Sequence, residues 1–298
     1  MAQTTYNATN KQLSLTKIIT NISPSDTPLV TLFGKGPAAK QPVHVWERDS
    51  LKAPGDNAQV EGFEYTAADP SETSLEQNVC QILYKGYGIT ETNKATKREN
   101  ISDMIAYHMQ KALKEIALDL ERAVTVNDKM VLGSKAEARK MGGLPFFIKT
   151  NTLTNSAARP LTFQLVNDGL EMAYKAGGAP DTIVASARNK RVLSAVLPVG
   201  SSRSQEQKDK KLVSTIDVWE GDFGIQKIVK DRWLADDTVY LLDSQYFSLC
   251  YLREFTKIEK PKTHDAVERG IVGEVTLECR AENACAKIDK LDGKLPTK

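Results

Sequence analysis

The chain has few cysteines and no hydrophobic run long enough to cross a membrane. Its four cysteines are widely scattered, with only the last two close together: Cys80, Cys250, Cys279 and Cys285. Such spacing predicts buried free thiols in a reducing compartment. No run approaches the roughly 18 apolar residues of a spanning helix. The first residues, MAQTTYNATNKQ, lack the basic and apolar regions of a signal peptide. We therefore expect synthesis in the cytoplasm and no membrane partner.

Neither sign of charge dominates the sequence. Lysine and arginine number 40 against 38 aspartates and glutamates, which leaves a formal net charge of +2. A chain so nearly neutral has no strong field for nucleic acid or membranes, so sequence-specific DNA binding is not expected. With 41% hydrophobic residues in 298, the chain has enough apolar material for one large or two smaller cores.

Catalytic and cofactor motifs are also missing from the sequence. It contains no GxGxxG, GxxxxGK[ST], GxSxG or HExxH pattern. The three histidines, His44, His108 and His264, are too dispersed to indicate a triad or a metal site, and Cys279 and Cys285 lack the close pairing of structural zinc ligands. The sequence predicts no catalytic residue, no metal ligand and no cofactor.

One long amphipathic helix is the strongest pattern present. From Asn100 to Thr125, apolar residues recur at helical spacing, at Ile101, Met104, Ile105, Ala112, Leu113, Ile116, Leu120 and Val124. Asn100 is the expected N-cap, with Asp103 at the capping-box position. Some 25 residues at ~1.5 Å each make a rod of roughly 37 Å. Its single apolar stripe predicts a sheet packed against one face.

The residues before this rod are typical of extended parts. Residues 13–22 and a short helix from Pro28 to Gly34 are separated by turn residues and predict an N-terminal arm. From residue 43 successive side chains alternate between two faces, with His44, Trp46 and Arg48 on one of them, which predicts a strand. A second β-prone run covers residues 74–90. Together the two runs predict a hairpin around a long polar tip.

The hairpin tip is acidic. Between residues 52 and 76 the acids are Asp56, Glu61, Glu64, Asp69, Glu72 and Glu76, against Lys52 as the only base. Basic residues stand just before the rod at Lys94, Lys97 and Arg98, and again at Arg188, Lys190 and Arg191. An acidic tip that lies on the basic surface of a neighbouring subunit would be electrostatically favourable. The alternative is a solvated loop with no partner.

The remaining chain alternates helices and strands and then becomes mostly β. The pattern predicts a helix capped by Thr162, a buried strand at 182–185, a helix at 187–196 and a surface loop at 200–211. Strands follow at 212–219, 225–229, 238–242, 246–251, 271–279 and 284–288. We expect the last strands to pack beside the rod, which makes the middle region an inserted domain.

Five segments, in this order, resemble one branch of the tailed-bacteriophage major capsid proteins, whose fold is shared with encapsulins. They are NISPSDTPLVTLFGKGPA, VHVWERD, the pair Glu61-Gly62, RKMGGL after the rod, and LTFQLVNDGLEMAYKAGGAPDTIVAS. The resemblance implies an α+β capsid fold with an N-terminal arm (1–37), an extended hairpin loop (38–90), a peripheral domain (91–154) with a spine helix (100–125), an axial α/β domain (155–250), and returning peripheral strands with a C-terminal tail (251–298).

The same resemblance implies a structural role. Copies of the chain would assemble, as hexamers and pentamers, into an icosahedral shell around the double-stranded DNA of a tailed phage. Assembly would take place in the host cytoplasm and the product would be the virion. Contacts between subunits would use Trp46, Asp56, Glu61, Glu64, Glu72, Lys94, Lys97 and Arg98. Separate scaffold, portal and decoration proteins would be further partners, and packaged DNA would be contacted non-specifically. The alternatives are an encapsulin-type cellular shell protein and a soluble enzyme.

Overall fold

A computed structural model describes residues 26–49, 51–52, 54–65, 73–96, 103–197, 202–203, 217–262 and 264–294. The helices are α1 (Pro28–Phe33), α2 (Glu91–Ala95), α3 (Met104–Val126), α4 (Leu144–Phe147), α5 (Phe163–Lys175) and α6 (Ala187–Val196). The strands are β1 (Val43–Arg48), β2 (Ser74–Val79), β3 (Gln81–Thr90), β4 (Thr152–Leu153), β5 (Thr182–Ser186), β6 (Ser202–Arg203), β7 (Val218–Gly221), β8 (Gly224–Asp231), β9 (Val239–Leu242), β10 (Phe247–Glu259), β11 (Ala266–Cys279) and β12 (Ala286–Ile288). None of the helices in these ranges is long and apolar enough to span a membrane.

The predicted rod is helix α3, but it begins later than predicted. Asp103, not Asn100, is the N-cap: its Oδ1 accepts hydrogen bonds from the backbone N–H groups of Ile105 at 2.8 Å and Ala106 at 3.2 Å. The helix starts there because Asp103 has extended backbone angles and supplies the acceptor that the first turn lacks. Asn100 and Ile101 lie outside the described residues.

The inner face of α3 follows most of the predicted stripe. Ala112, Ile116, Leu120 and Val124 are all buried. Leu113 is 43% exposed, because it is one position, or about 100° around the helix, away from Ala112. The apolar stripe is therefore narrower than the sequence predicts.

The stripe of α3 packs against a three-stranded antiparallel sheet. Strand β11 lies in the middle, between β10 and β3, and pairs with β3 from Ala266 opposite Thr90 to Val275 opposite Gln81. Ile116 and Leu120 of α3 share one buried cluster with Ile271 and Val275 of β11. The expectation that late strands return to pack beside the rod is confirmed for β11.

A second layer is a seven-stranded mixed sheet covered by α5 and α6. Its order is β4-β12-β9-β5-β8-β7-β6, with β5 parallel to β8 and antiparallel to β9. All residues of β5 are buried, as expected for a central strand. The predicted helix cap is confirmed, because the hydroxyl oxygen of Thr162 accepts from the N–H of Leu165. Residues 187–196 are helical as predicted.

The two sheets divide the chain differently from the predicted boundaries. Strand β10 begins at Phe247 and belongs to the three-stranded sheet, although the axial segment was expected to extend to residue 250. Strand β12 lies in the seven-stranded sheet, so the predicted segment 251–298 contributes to both layers. Ala286 and Ile288 of β12 are buried in the core that the seven-stranded sheet forms with α5, which explains their return to that sheet.

The end of the predicted arm is docked on the body of the chain. Leu29 and Phe33 of α1 are buried, and the ring of Phe33 stacks on Phe247 with centroids 4.9 Å apart. The buried carboxylate of Glu121, on α3, accepts from the N–H groups of Leu29 and Val30, each at 2.8 Å. These contacts provide acceptors for the first turn of α1 from another helix. Residues 1–25, with the helix predicted at 13–22, lie outside the described residues.

The buried position of Glu121 predicts a pH dependence of stability. Burial raises the pKa of this carboxyl from 4.5 to about 7, although the two N–H groups oppose the shift. Because the raised pKa belongs to the folded state, folding favours the protonated form. The contribution to stability is therefore full below pH 4.5 and is lost as the pH rises through about 7. At about 1.4 kcal/mol per pKa unit, the change reaches about 3 kcal/mol.

We expect the neutral variant Glu121→Gln to lose this dependence. Urea unfolding of both proteins between pH 4.5 and 7.5 should show the wild type gaining stability relative to the variant as the pH falls. Glu115→Gln, a change on a less buried part of the same helix, is the control and should follow the wild type. Parallel curves for wild type and Glu121→Gln would show that Glu121 does not titrate in this range.

Candidate inter-subunit contact site

The predicted hairpin consists of β1 and β2. The two strands are antiparallel, with Val43 opposite Val79 and Arg48 opposite Ser74. The second predicted strand divides at Cys80, because β3 leaves the hairpin and pairs with β11. Residues 49–73 connect the two short strands in sequence and are called the tip; the structure describes residues 49, 51–52, 54–65 and 73 of them. Strand β3 belongs to the sheet beneath α3. The hairpin and its tip form the candidate site.

Alternate residues of β1 fasten the hairpin base to the body. The indole Nε1 of Trp46 donates to the carbonyl oxygen of Cys279 at 3.0 Å, and Nη2 of Arg48 donates to Oδ1 of Asn283 at 2.6 Å. The ring centroids of Trp46 and Phe147 are 6.0 Å apart. The face that carries Trp46 therefore turns toward the chain's own body. A contact of Trp46 with a neighbouring copy stays a prediction.

Asn78 connects the hairpin to two other parts of the chain. It is fully buried, and its Nδ2 donates to the carbonyl oxygens of Gly142 at 3.0 Å and Leu277 at 2.8 Å. Its Oδ1 accepts from the N–H groups of Gly142 at 2.8 Å and Val79 at 2.9 Å. One side chain thus satisfies backbone groups of β2, of β11 and of the turn before α4.

The tip places in solvent three of the four acidic residues that are predicted to contact a neighbouring subunit. Asp56, Glu61 and Glu64 are exposed, and Oδ1 of Asp56 accepts from the N–H of Ala58 at 3.2 Å within the tip itself. Glu72 lies outside the described residues. The described part of the tip is therefore open to a partner.

The predicted basic counterpart is only partly described. Lys94 lies on α2, exposed, with its Nζ 3.7 Å from Glu91, which also pairs with Lys262 at 2.8 Å. Lys97 and Arg98 lie outside the described residues. In the second basic group, Arg188 donates to the carbonyl oxygen of Gly293 and Lys190 pairs with Asp217, so both have partners within the chain.

Sequence reasoning missed the apolar side chains of the tip. Leu51 is 96% exposed, Val60 77% and Tyr65 93%, and Phe63 packs edge-on against Tyr65 at 5.3 Å. Aromatic and aliphatic side chains held in solvent on a projecting loop are typical of a contact surface. The signal was available in the sequence as isolated apolar residues inside an otherwise polar segment.

The hairpin base also contains a group that the sequence did not reveal. His44 of β1, Cys250 of β10 and Glu278 of β11 place one nitrogen, one sulfur and one carboxylate oxygen within 4.8 Å of one another. In the parts of the chain that the structure describes, this is the one cluster of three histidine, cysteine or acidic side chains close enough to share a metal ion.

This architecture is shared with solved phage capsids. The capsid asymmetric unit of cyanophage A-1(L) matches with a TM-score of 0.65 at 12% identity, covering 96% of this chain and 98% of that one. The holo-SrpI encapsulin complex from Synechococcus elongatus PCC 7942 matches with a TM-score of 0.62 at 12% identity, covering 97% and 95%. The fold is therefore the α+β fold of phage major capsid proteins and encapsulins, as predicted.

Sequence comparison separates the phage proteins from the encapsulins. The family model of the SU10 major capsid protein matches residues 1–292, and the chain belongs to this family. The major capsid protein of Escherichia phage Phieco32 is 24% identical over 342 positions, which cover 97% of this chain and 97% of the relative. The protein is a phage major capsid protein, a structural component of the virion and not an enzyme.

Proposed function

We propose that copies of this chain assemble as hexamers and pentamers into an icosahedral shell that encloses the double-stranded DNA of a tailed phage. The observation that carries the proposal is the exposed tip of the β1–β2 hairpin, where Leu51, Val60 and Tyr65 project into solvent. A neighbouring subunit that covers these side chains would complete the apolar contacts that the isolated chain lacks. The procapsid of satellite phage P4 and the capsid of cyanophage A-1(L), whose subunits have the same fold, support this arrangement.

The tip would bind its neighbour through both apolar and charged groups. Val60, Phe63 and Tyr65 would form the buried centre of the contact, and Asp56, Glu61, Glu64 and Glu72 would face the basic residues Lys94, Lys97 and Arg98. Each exposed ion pair contributes little to the free energy of binding. We therefore assign the affinity to the apolar groups and the alignment of the two surfaces to the charges. Many such contacts in one shell act together and resist dissociation of any single subunit.

The two layers would have separate positions in a capsomer. The seven-stranded sheet with α5 and α6 would be the axial domain at the capsomer centre. Helix α3 and the three-stranded sheet would be the peripheral domain, which carries the hairpin. Residues that precede α1 would extend onto an adjoining subunit. This assignment is supported by two buried clusters: one joins Ile116 of α3 to Ile271 of β11, and the other joins Leu170 of α5 to Ile183 of β5. The two layers pack against each other, because Val184 of β5 belongs to the first cluster.

The remaining partners are those that the resemblance to tailed-phage major capsid proteins implies. A net charge of +2 suits an inner wall that confines DNA without binding it tightly. Assembly would occur in the host cytoplasm, with a separate scaffold, a portal at one vertex and decoration proteins outside. Co-expression with candidate scaffold and portal genes, followed by particle counting, tests these partners.

Charge reversal at the tip tests the electrostatic part of the contact. We expect Glu61→Lys, Glu64→Lys and Glu72→Lys together to impair assembly while the monomer stays folded, because like charges would then face each other across the contact. Particle yield by sedimentation, measured at several salt concentrations, is the readout. Adding Lys94→Glu, Lys97→Glu and Arg98→Glu should restore yield. Normal yield and salt resistance in the first variant would contradict the acidic-tip contact.

A further inference from the structure

Three side chains from three strands converge at the base of the hairpin. Nε2 of His44 lies 2.8 Å from Oε2 of Glu278, and Sγ of Cys250 lies 3.1 Å from the same oxygen. Cys250 and Glu278 share one sheet face, because Glu278 pairs with Ser248 and Cys250 is two residues further along β10. His44 reaches them from β1.

The cluster is shielded from solvent and held by its surroundings. The side chains of His44 and Glu278 are 12% and 6% exposed, and Cys250 is fully buried. The backbone at Gly36 covers the thiol so closely that an added Cβ would lie 3.0 Å from its sulfur and 2.5 Å from Oγ of Ser248. Cys80 packs in the same small apolar group as Cys250. The other oxygen of Glu278, Oε1, lies 3.6 Å from Nε of Arg280.

The donor set determines which ion would fit. An imidazole nitrogen, a thiolate sulfur and a carboxylate oxygen are the three ligand types of protein-bound zinc. Calcium and magnesium prefer oxygen ligands alone. Three converging protein donors leave a fourth tetrahedral position for water. A shielded site with a thiolate therefore favours a borderline-soft divalent cation.

We propose that His44, Cys250 and Glu278 form a zinc site that ties the base of the β1–β2 hairpin to strands β10 and β11. The ion would replace the hydrogen bonds that the three side chains make to each other with bonds to one centre. It would fix the direction in which the hairpin leaves the body. This site is independent of the surface that the tip offers to a neighbouring subunit.

Binding would release a proton from the thiol. Burial raises the pKa of the Cys250 thiol to about 12, and the hydrogen bond to Glu278 and the charge of its carboxylate add to the effect. The thiol is therefore protonated in the metal-free protein, and zinc must displace that proton as the sulfur–zinc bond forms.

Cobalt titration of the full chain, after removal of metals with a chelator, tests the site. We expect one equivalent of Co²⁺ per chain to produce a thiolate-to-cobalt charge-transfer band and the visible bands of a tetrahedral centre, and Zn²⁺ to abolish both. Zn²⁺ should also raise the melting temperature. Cys250→Ser should lose the charge-transfer band. Changes to groups outside the ligand set typically lower metal affinity by about 10–100-fold. Because His44 and Glu278 would bind the ion directly, His44→Gln and Glu278→Gln should lower it by more than that.

Matched controls locate the bound ion. Cys285→Ser removes another buried thiol, and His264→Gln removes a histidine that is not part of the cluster; both should bind cobalt like the wild type. If Cys250→Ser does not fold, the variants Cys80→Ser, Cys279→Ser and Cys285→Ser decide together: retention of the band in all three leaves Cys250 as the thiolate ligand, and loss of the band in any one places the ion elsewhere. No spectral change in the wild type at saturating cobalt would overturn the proposal. Retention of the band in folded Cys250→Ser, or its loss in Cys285→Ser, would also overturn it.

Discussion

Replacing Asn78 with alanine is expected to destabilise the folded chain by roughly 4 kcal/mol. The side chain is buried and makes four hydrogen bonds to backbone groups of Gly142, Leu277 and Val79. Alanine cannot replace any of them, and each buried polar group left without a partner costs about 1–3 kcal/mol. The loss would fall on the junction between the hairpin, β11 and the turn before α4.

The midpoint of urea unfolding measures this effect. The matched control is Gln77→Ala, which changes the adjacent exposed residue of β2 and should stay within about 0.5 kcal/mol of the wild type. We also expect a lower yield of assembled particles from Asn78→Ala, because the base of the hairpin would no longer be held. A variant with the stability of Gln77→Ala would show that the amide does not connect these segments.

The double change Val60→Ser and Tyr65→Ser is expected to abolish assembly and leave the monomer intact. Both side chains are already exposed, at 77% and 93%, so the isolated chain loses no buried contact. Covering each by a neighbour would contribute roughly 1.5–3 kcal/mol, and the loss recurs at every subunit of a shell. Thermal unfolding should be unchanged while sedimentation shows only small species.

Leu132→Ser provides the comparison for this variant. Leu132 is 60% exposed and lies beyond α3, away from the hairpin sequence, so the change removes exposed apolar surface from one side chain outside the tip. We expect it to form particles at wild-type yield. If the double tip variant also assembles normally, the apolar residues of the tip do not make the contact proposed for them.

Local patterns predicted the regular elements well. The stripe of Ile116 and Leu120 identified the inner face of α3, and the hydroxyl of Thr162 identified the start of α5. Both could be predicted because each signal involves residues only three or four positions apart in sequence. Sheet membership could not be predicted in this way. Strand β12 joins the seven-stranded sheet because of partners more than 40 residues away in sequence, such as β9. The pattern of residues within β12 does not indicate which strand it pairs with.

The same limit applies to the functional surfaces. The acids at 56, 61 and 64 were visible as a charge pattern, while the nearby apolar residues were overlooked because each stands alone. The cluster joins His44 to Cys250 and Glu278, both more than 200 positions further along the chain, so no spacing rule could find it. Glu121 was equally hidden, since its buried acceptor role depends on the docking of α1.

Electron cryomicroscopy of the expressed wild-type chain shows directly whether its copies close into a shell. We expect closed icosahedral particles or capsomer rings in which the hairpin tip of one subunit lies on another, so that Val60 and Tyr65 are covered. Purified protein that remains a single copy at high concentration, with its hairpin tip packed against its own body, would contradict this expectation.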